Sequence, residues 1–181
     1  MKTILLVLGP NGVGKSTTAK NILEKLRNTA LVDSDWCRAM NPYDMGTAIN
    51  NLYSLIKNYL LCSEIETIIF PYGFHGDRKK RYDIVMDNLR SDKIDFTEFT
   101  VILTCSFEKN IARLQNDIRD NKRINRGMEN TFHFYDEYDF PKIDTTNLTA
   151  EQTADEIISL FRKMENQTGK PEQRKERDAD C

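Results

Sequence analysis

The stretch LGPNGVGKST, residues 8–17, carries the residue types that bind phosphate groups. Gly9 and Gly14 are separated by four residues and followed directly by Lys15 and Ser16, which is the spacing of a P-loop. In such a loop backbone N–H groups cradle an anion, the lysine reaches the β- and γ-phosphates, and the serine hydroxyl binds Mg²⁺. The candidate nucleotide-binding residues here are Gly9, Asn11, Gly12, Val13, Gly14, Lys15, Ser16 and Thr17, with Lys15 also catalytic and Ser16 also a metal ligand.

A pair of carboxylates follows a short apolar segment in LVDSDW. Asp33 and Asp35 are two residues apart, so on an extended chain their side chains point the same way. Phosphoryl transfer to an alcohol needs a carboxylate at the acceptor hydroxyl and a further anion near the metal ion. We assign Asp35 as the base and Asp33 as an outer-sphere partner of Mg²⁺. The reverse assignment stays open, as does a helix-capping role for either residue.

Arginines in two places could act on the phosphate or on the carboxylates. Arg38 follows Asp35 by three residues and could brace it or hold an anionic group of a substrate, although a surface role is an alternative. The stretch RDNKRINRGMEN, from residue 119, has no apolar periodicity and suits a lid whose arginines stabilise the transferred phosphoryl group. The lid candidates are Arg119, Arg123 and Arg126, of which Arg119 would also contact the nucleotide. A solvated surface connection is the other interpretation.

Apolar patterns between these motifs indicate strands that alternate with helices. The predicted strands are 3–8, 30–32, 66–70, 99–103 and 142–144. The predicted helices begin near Lys15, Asp44, Asp77, Phe107 and Thr149, the fourth with Phe107, Ile111, Leu114 and Ile118 on one side. Alternation of this kind predicts an α/β fold with a parallel sheet that binds ligands at the carboxyl ends of its strands. The P-loop and the two carboxylates would then share one edge of the sheet.

Composition narrows the class of protein. A chain of 181 residues suits one domain, predicted here at 1–165, and the charged stretch 166–181 is predicted to be disordered. The formal charge of −2 and a pI near 5.8 provide no general attraction to nucleic acid. No D-x-x-G or N/T-K-x-D motif occurs, which disfavours a switch GTPase, and no aspartate ends the third or fourth strand as in most large ATPases. Among proteins with a P-loop, these absences leave a small phosphotransferase as the favoured class.

The four cysteines show no close pairs, and the sequence shows no secretory leader or long apolar stretch. We therefore expect a cytoplasmic protein without a membrane partner. Cys62 and Cys105 are interpreted as small core residues.

Four stretches together resemble a known family: GPNGVGKST, LVDSDW, VILTCSFEKNIARL and KIDTTNLTAEQTADEII. They resemble the small P-loop kinases that include shikimate kinase, gluconate kinase and chloramphenicol phosphotransferase, within the nucleoside monophosphate kinase group. The resemblance spans nearly 1–164. It implies a three-layer P-loop NTPase fold: a five-stranded parallel sheet of order 2-3-1-4-5, helices on both faces and a small arginine-bearing lid near 119–131.

The same resemblance implies ATP and Mg²⁺ as cofactors and a place for each substrate. Thr145, Thr146 and Asn147 would lie beside the adenine ring and bind it chiefly through backbone groups. The acceptor would lie between the helices that follow the second and third strands, where Arg78 is a candidate to hold an anionic group.

The expected function is ATP- and Mg²⁺-dependent transfer of a phosphoryl group to a hydroxyl of a small molecule. Two alternatives stay open. The spacing of Asp35 and Arg38 also resembles that in polynucleotide 5′-hydroxyl kinases, which the acidic pI opposes. A non-catalytic ATP-binding sensor is the other alternative. The sequence leaves the acceptor and the oligomeric state undetermined.

Overall fold

A computed structural model describes residues 1–116 and 133–167 of the chain. Its strands are β1 (Lys2–Leu8), β2 (Thr29–Leu31), β3 (Thr67–Pro71), β4 (Phe96–Thr104) and β5 (Lys142–Asp144). Its helices are α1 (Lys15–Lys25), α2 (Met45–Leu61), α3 (Arg78–Ser91), α4 (Phe107–Asn116) and α5 (Ala150–Gln167), with a short 3₁₀ helix at Trp36–Arg38. The predicted lid at 119–131 and residues 168–181 of the predicted tail lie outside the described residues.

The five strands form one parallel sheet in the order β2-β3-β1-β4-β5, as the resemblance implied. The central strand β1 pairs on both sides, with Leu5 opposite Ile69 of β3 and Phe99 of β4. Because every strand runs the same way, the loops that follow them meet at one edge of the sheet. That edge carries the P-loop, the carboxylates after β2 and the loops after β3, β4 and β5.

Helices cover both faces of the sheet, and β1 contributes to both resulting cores. Ile4, Leu6 and Leu8 pack into a core with α2 and α3, whereas Leu5 and Val7 pack into a core with α1 and α5. Side chains alternate between the faces of a strand, so a parallel strand covered on both sides must be apolar throughout. This is why the run before the P-loop predicted a buried strand correctly.

Helix α4 and one cysteine depart from the sequence predictions. In α4 the buried residues are Asn110 and Leu114, while Phe107 is 47% exposed, so the apolar side that the sequence predicted is not the buried face of the helix; Ile118 lies outside the described residues. The polar Asn110 is turned inward because it bonds to the P-loop. Cys62 is exposed, not in the core, since it follows the last turn of α2; Cys105 is buried as expected.

The last helix begins at a capping box, as its sequence indicated. The Thr149 hydroxyl accepts from Gln152 N, and Thr149 N donates to the Gln152 side chain. Helix α5 extends to Gln167, two residues into the segment predicted as a tail. Within 1–116 and 133–167, none of the helices combines the length and apolar character needed to cross a membrane.

Candidate active site

The loop between β1 and α1 is packed on one side and open on the other. Gly9 and Gly12 have φ of 143° and 79°, and a Cβ at either position would lie 2.5 Å from a neighbouring atom, Leu103 O or Leu114 Cγ. Gly14 has φ of 103° and precedes α1, yet a Cβ there would meet nothing within 4 Å. The loop therefore has open space at a helix N-terminus, where backbone N–H groups favour a phosphate.

Lys15 lies directly on this loop. Its Nζ donates to Gly9 O at 2.9 Å and to Pro10 O at 2.8 Å. The next two residues of the motif, Ser16 and Thr17, are exposed in the first turn of α1. The ammonium group and the Ser16 hydroxyl thus stand beside the amides that would bind the phosphates.

Two side chains of α4 hold the P-loop from behind. Asn110 is fully buried, and its Nδ2 donates to Asn11 O at 2.9 Å. Arg113 donates to Val13 O at 3.3 Å. Both residues lie in the stretch VILTCSFEKNIARL that carries the resemblance, but the sequence analysis assigned neither a role, because only the meeting of α4 with the loop shows it.

The carboxylates after β2 differ in their surroundings. Asp33 accepts from the backbone N–H of Asp35 at 2.9 Å. Asp35 precedes the 3₁₀ helix without capping it through its side chain. Arg38 donates to the Asp35 carboxylate, which is still 73% exposed. Arg38 therefore braces Asp35, one of the two roles that the sequence allowed, and the carboxylate is open to a hydroxyl group.

A pocket lies between the 3₁₀ helix, α2 and the start of α3. Its lining residues are Ser34, Cys37, Arg38, Tyr43, Ala48, Ile49, Leu52, Tyr72, Arg78 and Arg81. It occupies the region where the resemblance puts an acceptor, beside the pair formed by Asp35 and Arg38.

His75 connects the pocket with the P-loop. Strand β3 lies between β1 and β2, so the loop after β3 stands between Lys15 and Asp35. Burial, and then the charges of Arg78 and Lys15, lower the pKa of His75 to about 4. The imidazole is therefore neutral at pH 7 and lies near a cation of each site.

A second residue without a motif joins the same loops. Tyr135 is 1% exposed, and its hydroxyl oxygen accepts from Phe74 N at 2.9 Å. Burial raises the pKa of Tyr135 to about 12, against the lowering effect of the backbone N–H groups of Phe74 and Gly9. Tyr135 thus ties the chain after residue 132 to the P-loop and to the β3–α3 loop.

The loop after β5 has fewer free groups than expected. The hydroxyl of Thr145 donates to Thr104 O at 2.9 Å, and Arg113 donates to both the hydroxyl and the carbonyl of Thr145. The Thr146 hydroxyl accepts from Ser106 N at 2.8 Å. Asn147 is exposed. Thr145 N donates to Thr104 O at 2.8 Å and Thr146 N donates to Asp144 Oδ1 at 2.9 Å, so the side chains and the backbone N–H groups of both threonines are engaged within the fold.

The remaining predicted site residues lie outside the described part of the chain. These are the lid arginines Arg119, Arg123 and Arg126.

A family model described as an AAA domain matches residues 5–132, well over half of the chain. The protein belongs to the AAA domain family. A comparison with curated proteins finds no match.

Solved structures share the fold of this AAA domain protein at low sequence identity. The tunicamycin resistance protein of Deinococcus radiodurans is 18% identical, with a TM-score of 0.64 over 89% of this chain and 96% of its own. A gluconokinase from Sinorhizobium meliloti is 15% identical, with a TM-score of 0.62, and the match covers 92% of this chain and 95% of the gluconokinase. Shikimate kinase from Acinetobacter baumannii, solved with shikimate, is 12% identical, with a TM-score of 0.60, and the match covers 91% of this chain and 95% of the shikimate kinase. These likenesses show a P-loop NTPase fold.

The donor groups at this edge of the AAA domain suit Mg²⁺. Mg²⁺ in nucleotide sites is bound by one or two protein oxygens together with phosphates and waters. Ser16 would supply a hydroxyl oxygen, and the half-buried Asp33, which follows β2 at the same edge of the sheet, would supply a carboxylate for the water shell. The open face at Gly14 leaves room for the phosphates that would complete such a site.

Proposed function

We propose that the protein transfers the γ-phosphoryl group of ATP to a hydroxyl group of a small molecule. The observation that carries this proposal is the order of the strand ends, which puts His75 and the loop after β3 between the P-loop and the pair of Asp35 and Arg38 at the pocket. A nucleotide on the P-loop and a molecule in the pocket would therefore face each other across this residue. The P-loop NTPase fold shared with a gluconokinase and a shikimate kinase supports the same reaction class.

In this mechanism Asp35 accepts the proton of the acceptor hydroxyl. The hydroxyl oxygen forms a bond to the γ-phosphorus, the bond to the β–γ bridging oxygen breaks, and ADP leaves. Arg38 holds the Asp35 carboxylate in place, which keeps it correctly oriented without burying it. Lys15 binds the phosphate oxygens on which negative charge is spread. The neutral His75 adds no positive charge between Lys15 and Arg78.

Mg²⁺, held by Ser16 and Asp33, would neutralise charge on the phosphates when bound. Arg119 and Arg123 are proposed to reach the phosphoryl group from the lid and to exclude water, which would otherwise compete as an acceptor. The loop at Thr145–Asn147 would contact the adenine ring.

The test measures transfer of labelled γ-phosphate from ATP to a library of hydroxyl compounds. We expect Asp35→Asn to lower transfer by about 10²-fold or more, since general-base catalysis contributes that much, while ATP affinity stays near that of the wild type. Asp87→Asn is a matched control. Asp87 is 71% exposed, close to the 73% of Asp35, and also pairs with an arginine three residues away.

Equal losses in both variants would remove Asp35 from the mechanism. ATP binding without transfer to any compound would contradict the proposal and favour the nucleotide sensor. Loss of ATP binding in Lys15→Ala, with an unchanged fold, would support the P-loop assignment.

A further inference from the structure

The acceptor pocket has a strongly one-sided charge. Arg38, Arg78 and Arg81 all line it, and no aspartate or glutamate is among the described residues that do. All three guanidinium groups are close enough to Tyr72 to affect the pKa of its buried hydroxyl, which burial raises and the three arginines lower. Three cations therefore lie around one pocket, close to Tyr72.

Hydrogen bonding leaves these cations incompletely satisfied. Arg38 pairs with Asp35 through Nη2, but its Nε is buried without a partner, and the Nε of Arg81 is in the same situation. Neither Arg78 nor Arg81 forms an ion pair with any described residue. Burial, and then the charge of Arg38, lower the pKa of Arg78. Buried donors of this kind cost free energy unless a ligand pairs with them.

The start of α3 adds to the positive potential. The helix begins with Arg78, Lys79, Lys80 and Arg81, and its first turn contains no acidic residue. Asp77 precedes the helix but makes no capping bond through its side chain. Cations at a helix N-terminus are unfavourable, because the helix dipole is positive at that end. An anion bound there is stabilised both by the dipole and by the basic side chains. This arrangement disfavours the empty helix end and favours an anion bound to it.

The rest of the pocket limits the character of the ligand. Ala48, Ile49 and Leu52 of α2 form an apolar wall, and Tyr43 and Tyr72 supply aromatic rings. The pocket therefore suits a molecule with an apolar or cyclic body and one anionic end.

We propose that the phosphoryl acceptor carries an anionic group, a carboxylate or a phosphate or sulfate ester, which Arg78 and Arg81 bind. Arg38 links this anion to Asp35 and so sets the distance between the anion and the hydroxyl that is phosphorylated. The inference rests on the proposed function, because it names the substrate class of the same site. Arg78 and Arg81 are thereby specificity-determining residues.

The test uses the full chain saturated with Mg²⁺ and a non-hydrolysable ATP analogue, so that the P-loop is occupied. Inorganic phosphate is then titrated, with binding followed by calorimetry and by the emission of Trp36, the single tryptophan, which lies in the 3₁₀ helix beside Arg38. We expect saturable phosphate binding that Arg81→Met weakens by about tenfold, the cost of one charge-assisted hydrogen bond. Arg81→Lys should restore part of the affinity.

Arg90→Met is the control, since Arg90 lies on the same helix but pairs with Asp87 and Glu98 away from the pocket. Phosphate binding should be unchanged in this variant. If the analogue binds but phosphate does not, or if Arg90→Met and Arg81→Met weaken it equally, the inference is overturned while the proposed function stands. If the ATP analogue itself does not bind, the proposed function is contradicted, and the inference that rests on it falls with it.

A second arm identifies the source of the anion. Compounds of the hydroxyl library are compared as acids and as their uncharged amides, and the proposal expects transfer to favour the acid by about tenfold or more. A short 5′-hydroxyl oligonucleotide is added as a competitor of phosphate. Binding of the oligonucleotide more tightly than any small acid, with the same loss in Arg81→Met, would assign the anion to nucleic acid and overturn the small-molecule class.

Discussion

His75 shows how one side chain can report on two sites. Its pKa lies at about 4 instead of the ordinary 6.5, because burial and then Arg78 and Lys15 disfavour the protonated imidazole. The unfolded chain therefore binds a proton at this residue between pH 6.5 and 4 that the folded protein does not. The free energy of unfolding must fall as the pH falls through this window, and it is unaffected by His75 above it.

We expect His75→Gln to remove this part of the pH dependence. From the shift in pKa, the wild type should lose about 2 kcal/mol more than the variant between pH 7.5 and 5. Urea unfolding at several pH values measures the difference. Comparing the two proteins cancels the contribution of carboxylates such as Asp44 and Asp144, whose lowered pKa values also reduce stability in acid. Parallel pH profiles for the two proteins would show that His75 is not held neutral.

At this scale the sequence predicted the residues that belong to motifs. The spacing from Gly9 to Ser16 identified the P-loop, and the three-residue separation of Asp35 and Arg38 allowed their contact as one of several alternatives. The resemblance put His75 and Arg81 near the acceptor region, but no local pattern gave either residue a role. Their environment depends on distant segments meeting at one edge of the sheet: Lys15 acts on the pKa of His75, and Arg38 lines the same pocket as Arg81.

The β1–α1 loop and helix α4 pack so closely that neither can change shape without moving the other. A Cβ at Gly12 would lie 2.5 Å from Leu114 Cγ, at a φ of 79° that side chains rarely adopt. We expect Gly12→Ala to destabilise the protein by about 1–3 kcal/mol, because either the loop or α4 must shift. ATP affinity should fall as well. Thermal unfolding and nucleotide titration measure both effects.

Gly46→Ala is the matched control for this prediction. Gly46 lies in the first turn of α2, has no positive φ, and its nearest neighbour to a new Cβ is Asp44 Oδ1 at 3.5 Å, an ordinary contact. The substitution should be neutral or stabilise the helix by a few tenths of a kcal/mol, because alanine favours helix more than glycine does. A loss of stability in Gly46→Ala equal to that in Gly12→Ala would mean that the contact with Leu114 is not the cause.

Elements with one-sided or fully apolar patterns were predicted well from the sequence. Strand β1 and helix α5 follow their patterns, because each packs against a large apolar neighbour. Helix α4 did not, since its buried face includes Asn110, which satisfies a P-loop carbonyl instead of packing in an apolar core. Strand β4 begins at Phe96, three residues before the prediction, because polar residues at its start still pair with β1.

Across the whole molecule, Tyr135 is the point where three distant segments meet. Its buried hydroxyl oxygen accepts from Phe74 N after β3 and interacts with Gly9 N of the P-loop. Tyr135→Phe keeps the ring in its aromatic cluster with Phe134 and Tyr138 but leaves these backbone donors without an acceptor. A buried donor left unpaired costs about 1–3 kcal/mol.

We therefore expect Tyr135→Phe to lower the melting temperature by roughly 4–8 °C, and to weaken ATP binding because the P-loop loses a support. Tyr59→Phe is the control, since the Tyr59 hydroxyl makes no hydrogen bond within residues 1–116 and 133–167. That variant should melt within about 1–2 °C of the wild type, because the substitution keeps the ring and removes only a hydroxyl group that has no hydrogen bond within residues 1–116 and 133–167. If Tyr135→Phe lowers stability without changing ATP affinity, its hydroxyl supports the fold alone. If both variants match the wild type, the connection between the P-loop and the acceptor side does not pass through Tyr135.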